Sequence, residues 1–429
     1  MVDLIITNIG QLVTCAVAKL SLFSDRPKRK AQMQDVGIIT DGAVAISQGK
    51  IVALGKSVEL SEQYTAPEIL DADYCAVCPG FVDAHTHLVF AGNRLAEFEM
   101  RLSGATYMEI MAAGGGISST SQATRAASLA QLVDEGRKRL DTLLSLGTTS
   151  VEIKSGYGLD TITELKILEA VAQLASNHVL DIIPTFLGAH AIPKEYRSKP
   201  ESYVSLVIEE MLPEVFRWAQ GYPHLRPLFN DVFCEQGAFD LQQSRRILEA
   251  GLALGLPAKL HVDEFTHLQG VKLAVELGAV SVDHLDVTPA EDMQALAASD
   301  TIGVVLPAVN FNFGSAIFAP ARALIDQGVA LALATDVNPG SAPCYSMPLV
   351  MALACRYQHL SPAEALNAST VNAAYAIGMG PRVGSLEVGK QADILLLKVQ
   401  DYRFIAYEFG VNLVHKVLKK GKVVYTNEC

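Results

Sequence analysis

The chain has 429 residues, 50% of them hydrophobic, which supports a large core and exceeds one small domain. A formal net charge of −12 argues against a nucleic-acid or anionic-membrane surface but leaves room for a small anionic substrate, since one arginine in a closed pocket can outweigh a distant field. No run approaches the roughly 18 apolar residues of a membrane span, the start "MVDLIITNIG" does not read as a signal peptide, and seven scattered cysteines suit a reducing compartment, so a soluble, cytoplasmic protein is expected.

In chain order, short β-like segments come first: "DLIITNIGQLVT", then "GAVAISQGKIVALG", read as a hairpin around a Gly-Lys turn. "CAVC" at Cys75–Cys78 lacks a second ligand pair at zinc-site spacing and is read as core packing. From about residue 76 to residue 380, strands alternate with amphipathic helices. Three helix starts are expected as capping boxes, "TITE" at Thr161–Glu164, "TPAE" at Thr288–Glu291 and "SPAE" at Ser361–Glu364. Eight Val/Ile/Leu-rich runs read as strands buried on both faces: "GFVDAHTHL", "TTSVEIKSG", "LDIIPTFLGAH", "PLFNDVFCE", "PAKLHVDEF", "AVSVDHLD", "TIGVVLPAVN" and the run ending in "LATDVNPG". Eight strand–helix units predict an α/β fold closed as a (β/α)8 TIM-like barrel, with a doubly wound open sheet as the rival. The tail returns to β texture in "ADILLLKV" and "HKVLKKGKVVYTN". The expected division is 1–75 and 381–429 as flanking β segments and 76–380 as the barrel.

Several strands begin apolar and end in ionisable residues: His85 and His87, Glu152 and Lys154, His190, His261 and Glu264, His284, Asn310, and Asp336. In a parallel barrel these ends share one rim, where active sites lie. Residues i and i+2 of a strand point the same way, about 7 Å apart, so His85 and His87 can converge on one ion. His261 and Asp336 would complete an N3O set suited to Zn²⁺ and tolerant of iron or manganese. Lys259, two residues before His261, is read as structural and lower in the barrel. Lys154 has no assigned chemistry and is expected to orient a loop or face solvent.

"PGFVDAHTHL", "ATDVNPG" and the tail "GSLEVGKQADILLL" together resemble the amidohydrolase superfamily, over the whole chain. That resemblance implies a metal-dependent hydrolase barrel whose flanking segments join into a small β-sandwich. Finer motifs are similar to one branch: "FAGNR" ending at Arg94, "AGGGI" at 113–117, "EIKSGYGL" at 152–159, "FLGAHA" at 186–191, "HVDE" at 261–264 and "TDVNPGS" at 335–341. The branch implies metal ligands His85, His87, His261 and Asp336, and substrate contacts from Arg94, Tyr157, His190, Glu264, Asn338, Gly340 and Ser341. It also implies one divalent metal per chain, Zn²⁺ or Fe, because "PLFNDVFCEQ" lacks the bridging lysine that binuclear members carry at the fourth strand. A homodimer is implied as well.

The implied reaction is hydrolysis of the cyclic amide C–N bond of 4-imidazolone-5-propanoate to N-formimidoyl-L-glutamate, the third step of histidine degradation. A Zn²⁺-type ion would make hydroxide available at neutral pH for attack on the ring carbonyl. Asp336, His284 and Glu264 are the candidates for proton transfer and for steadying the oxyanion. Arg94 would hold the propionate, with an ion pair to Glu97 or Glu99 as its alternative. "NPGS" at 338–341 would present backbone N–H groups and Asn338 to an anion. "AAGGGIS" lacks the Lys-Ser/Thr of a phosphate loop and is read as a mobile cover over the site. The rivals are a guanine- or cytosine-type aminohydrolase, which would take a neutral base, and a barrel kept only as an assembly module.

Overall fold

The computed structural model describes residues 1–16, 26–105, 109 and 115–428. Residues 113 and 114 of the glycine-rich stretch, and with them the expected cover, lie outside the described residues. The chain opens with β1 (Leu4–Val13), β2 (Ile38–Ser47), β3 (Lys50–Lys56), β4 (Glu68–Asp71) and β5 (Ala76–Pro79). β1 pairs antiparallel with β2 and parallel with β4 and β5. The β2–β3 turn sits one residue earlier than the expected Gly-Lys: its central residues are Gln48 and Gly49, with φ of 51° and 74°. Two positive φ values make a turn that matches strand twist, and Lys50 already pairs with Ser47.

The barrel strands follow: β6 (Phe81–Asp83), β7 (Thr148–Lys154), β8 (Asp181–Ala189), β9 (Phe229–Cys234), β10 (Ala258–Val262), β11 (Ser281–His284), β12 (Ile302–Val305) and β13 (Leu331–Leu333). They are parallel and paired in chain order. Closure occurs just past the strand ends. Asp336 N–H donates to the His85 carbonyl and His87 N–H to the Val337 carbonyl, each at 3.0 Å. The Asp83 carboxylate takes the N–H and hydroxyl of Thr335 at 3.0 and 2.6 Å. Helices cover the outside; Leu129–Ser145 does so with one apolar stripe, burying Leu132, Val133, Gly136, Leu140, Leu143 and Leu144. β14 (Ile394–Leu397) then returns to pair with β5, and β15 (Val414–Lys419) and β16 (Lys422–Thr426) extend that sheet. Both ends of the chain therefore build one mixed sheet beside the barrel. Lys419 Nζ joins the two parts, 2.8 Å from Asp181 of β8 and 2.7 Å from Asp393.

Of the three expected capping boxes, Ser361–Glu364 forms as read. Helix Thr161–Asn177 is capped instead by Asp160, whose carboxylate takes the Thr163 N–H, so Glu164 is released for other use. Thr288 lies two residues before helix Ala290–Ala297 and donates its hydroxyl to Asp263 at 2.8 Å. In both cases a neighbouring acceptor or cap competes for the same short polar side chain. Asn310 is not at a strand end: it lies in helix Pro307–Phe313 and donates to Asp286 at 2.9 Å. Cys78 is buried and Cys75 half-buried, and both are free thiols.

Candidate metal centre and active site

His85 and His87 lie just beyond β6, in a segment held between β7 and the Val337 strand end. Lys154 N–H donates to the Thr86 carbonyl at 2.9 Å, while the Thr86 hydroxyl turns away to the Glu152 carbonyl. Both imidazoles thus project to the barrel axis. His85 Nε2 and His87 Nε2 each lie 3.4 Å from Asp336 Oδ1, and His261 Nε2 lies 3.4 Å from His87 Nε2. His85 Nε2 and Asp336 Oδ1 are buried and make no hydrogen bond among the described residues. Donors about 3.4 Å apart lie along the edges of a tetrahedron whose corners are about 2.1 Å from its centre, the spacing of a zinc-type N/O site.

The outer nitrogens fix the tautomers. His85 Nδ1 donates to Asp283 Oδ2 at 2.7 Å and His261 Nδ1 to Asp231 Oδ1 at 3.1 Å. Carboxylates only accept, so both Nε2 atoms keep their lone pairs turned to the centre. Burial, followed by neighbouring cationic groups, pushes His85 and His87 well below the usual histidine range, which keeps them neutral, as ligation requires. Burial pushes Asp336 up to about 8, so an ionised carboxylate there calls for a cation. His85, His87 and Asp336 form one group that could hold an ion, and His261, 3.4 Å from His87, falls with His85 and His284 in a second group sharing His85.

Beneath them lies a layer the sequence reading missed. Lys154 does not face solvent; it is fully buried, with Nζ 2.7 Å from Asp231, 3.0 Å from Glu152 and 3.4 Å from Asp283. One ammonium therefore bridges the two carboxylates that orient His261 and His85. Burial opposes that charge, but Asp231, Glu152 and Asp283 outweigh it and hold Lys154 above its ordinary value. Burial likewise raises Asp231, but His261 and Lys154 override it and hold the carboxyl well below the usual range. Lys259 sits lower, as expected, 2.8 Å from Glu152 and 3.2 Å from the Ala84 carbonyl. The signal for this layer was present only as inward-facing charges in β7, β9, β10 and β11.

The remaining residues line one rim. His284 Nε2 is 3.7 Å from Glu264 Oε2, and His284 lies within ligand reach of His85 and His261. Burial raises Glu264 well above the carboxylate range, reinforced by Asp336, Asp286 and Glu235. His284, Leu285, Asp263 and Asp336 have φ of 83°, 67°, 54° and 53°, so backbone strain gathers at this rim. His190 stacks on His87 with ring centroids 4.8 Å apart, and Tyr157 lies 5.5 Å from His190. His190 Nδ1 donates to the Gly156 carbonyl at 3.1 Å, and burial lowers its pKa to about 3. The neutral ring then offers an acceptor at Nε2.

Arg94 is largely buried; its Nε donates to Thr120 at 2.9 Å and lies 4.0 Å from Glu97, at the limit of an ion pair. Its guanidinium lies so close to Gly340 that a Cβ there would come within 2.2 Å of Nη1. The "NPGS" turn differs from expectation. Asn338 Oδ1 itself takes the N–H groups of Gly340 and Ser341, both at 2.8 Å, so those donors are spent within the turn. Asn338 Nδ2 and the Ser341 hydroxyl instead reach Asp336 Oδ2 at 3.1 and 3.4 Å, leaving Oδ1 to the histidines. A third cluster, Asp263, His267 and Asp292, already holds a cation, since Lys272 Nζ lies 3.1 Å from Asp292.

The sequence profile of the amidohydrolase family matches residues 76–424. An imidazolonepropionase of Herpetosiphon aurantiacus is 56% identical over 427 residues, 99% of this chain and 98% of that protein. One from Geobacillus kaustophilus is 49% identical over 428 residues, covering 99% and 98%. Among solved structures, a zinc-bound adenosine deaminase of Xanthomonas campestris superposes with a TM-score of 0.71 at 21% identity, covering 98% of this chain and 92% of that one. E. coli guanine deaminase superposes with a TM-score of 0.70 at 17% identity, covering 98% and 99%. At those identities the structural likeness speaks for the fold alone.

Proposed function

The chain belongs to the amidohydrolase family, and from that premise and its imidazolonepropionase relatives we infer that it hydrolyses the cyclic amide C–N bond of 4-imidazolone-5-propanoate, giving N-formimidoyl-L-glutamate. The observation that supports this reading beyond the relatives is the buried His85, His87 and Asp336 group with His261 3.4 Å from His87, and an arginine on the same rim. In this proposal His85, His87, His261 and Asp336 hold one divalent ion, Zn²⁺ foremost and Fe next. Such an ion lowers the pKa of bound water from 15.7 towards about 7.

The chain's own groups do the rest. Arg94 receives the propionate carboxylate, and its side of the rim is braced by Thr120 and the Gly340 backbone. Tyr157 and His190 position the ring, with His190 Nε2 accepting a ring N–H. Asp336 takes the proton of the attacking water, its unused oxygen steadied by Asn338 and Ser341. His284 faces the developing oxyanion. Glu264, whose carboxyl burial raises well above its usual range, passes a proton to the ring nitrogen as the C–N bond breaks. The carbonyl carbon gains the hydroxyl, and the departing nitrogen leaves with the proton. The same reading places the enzyme in the cytoplasm as a homodimer, testable by fractionation and sedimentation.

The deciding experiment is an assay on metal-quantified protein with imidazolonepropionate, following ring opening and ammonia together. Ring opening proportional to metal content, without ammonia, is expected. Ammonia release from a neutral base, with no turnover of the imidazolone, would replace this reading with an aminohydrolase.

A further inference from the structure

Glu164, freed from capping its helix, takes up a different task. Its side chain is fully buried beneath residues 155–159, the loop that follows β7. Oε1 accepts the N–H groups of Gly158 and Leu159 at 2.7 and 2.9 Å, and Oε2 accepts that of Gly156 at 2.9 Å. A carboxylate has acceptor sites and no donor, which suits three convergent N–H groups. From the solvent side Arg125 grips the same loop, donating to the Gly158 carbonyl at 2.7 Å and the Leu159 carbonyl at 3.1 Å, while pairing with Asp160 and Glu195 at 2.9 Å each.

The gripped loop carries two groups that face the candidate centre. Tyr157 lies between the two clamped glycines, and the Gly156 carbonyl holds His190 Nδ1. The fit leaves no slack: a Cβ on Gly158 would fall 2.6 Å from the Glu164 nitrogen, and one on Gly156, at φ of 107°, would fall 2.9 Å from His190 Nδ1. We infer that Glu164 is a positioning residue, a buried clamp that fixes residues 155–159 so that Tyr157 and His190 hold their places over the substrate without Glu164 touching it. The part of this inference that concerns substrate rests on the reading of Tyr157 and His190 given above.

Glu164→Gln tests it, because glutamine presents one acceptor oxygen and turns an NH2 group towards the loop's donors. Amide exchange at Gly156, Gly158 and Leu159 should accelerate, and the ¹⁵N signal of His190 should report a weakened Nδ1–H bond to Gly156. Metal content should stay as in the wild type, and kcat/KM should fall about 10- to 100-fold, chiefly through KM. In a Tyr157→Phe, His190→Ala background the further effect of Glu164→Gln should shrink to about 2-fold or less, since coupled sites are not additive. Unchanged exchange, or full additivity with the double variant, would overturn the clamp. If the double variant itself keeps wild-type kcat/KM, the substrate-contact reading falls, and exchange together with the His190 signal still decides the clamp. Should Glu164→Gln not fold, Arg125→Ala loosens the loop from outside and must move the same readouts in the same direction.

Discussion

Replacing Lys154 with methionine keeps the apolar length of the side chain and removes the cation that bridges Asp231 and Asp283. All four charged groups of this cluster, Lys154, Glu152, Asp231 and Asp283, are fully buried, so none can be rescued by solvent. Glu152 keeps Lys259 at 2.8 Å, and Asp283 keeps the Ser281 hydroxyl at 2.7 Å. Among the described residues, Asp231 retains only the neutral His261 N–H, at 3.1 Å. Stripping one partner from a buried ion pair costs about 3–5 kcal/mol, and that is the expected loss of stability in the metal-free protein. Freed carboxylates also orient His85 and His261 less well, so Zn²⁺ affinity should fall about 10- to 100-fold. Urea unfolding of the metal-free protein reads the first effect, and competition against a chromophoric chelator reads the second. Adding Asp231→Asn and Asp283→Asn should restore most of the stability, by removing the stranded charges, and should not restore the affinity. A Lys154→Met protein within about 0.5 kcal/mol of the wild type and equally tight for Zn²⁺ would refute the reasoning, since buried charge would then carry no penalty here.

Arg94→Ala should raise KM strongly with little change in kcat, because a charge-assisted hydrogen bond to a buried carboxylate contributes about 1.5–3 kcal/mol; an unaltered KM removes Arg94 from the substrate site. Asp336→Asn should abolish turnover while leaving the circular dichroism spectrum intact, and substantial residual activity would contradict its proton role. Elemental analysis should find about one metal per chain, because the His85/His87/Asp336 and His85/His261/His284 groups share His85, whose Nδ1 is already taken by Asp283; two would reject the mononuclear reading. Acid should loosen the joint between sheet and barrel. Burial raises Asp181, but Lys419 and its hydrogen bonds outweigh this and leave its pKa below the ordinary value. A depressed carboxylate contributes stability above its unfolded pKa of about 3.9 and loses it as pH falls through the lower folded value. Asp181→Asn should therefore show a shallower loss of stability than the wild type below about pH 4, and parallel acid-unfolding curves would dismiss the ion pair.

Much of the active rim was legible in the linear chain. Apolar runs ending in histidine or aspartate announce parallel strands whose ends meet, and the spacing of His85 and His87 is enough to put both on one face. In one place where the reading went astray, the deciding partner was distant. Lys154 finds Asp231 and Asp283, 77 and 129 residues away, and no local pattern distinguishes such a lysine from one facing water. The "NPGS" turn looked like an anion cradle because its N–H groups are countable in sequence, whereas their capture by Asn338 depends on the path of the folded turn.

By itself the sequence determined the order of strands and helices and the residue types available to bind a cation, because periodicity and residue chemistry are local properties; the joining of both ends in one sheet was implied only by the family resemblance. Only the tertiary structure decided which carboxylate faces which histidine, which oxygen of Asp336 stays open, and that Asp83 seals the barrel by gripping Thr335, 252 residues away. Those choices belong to the packed interior, where an unpaired polar group is expensive and geometry alone selects its partner.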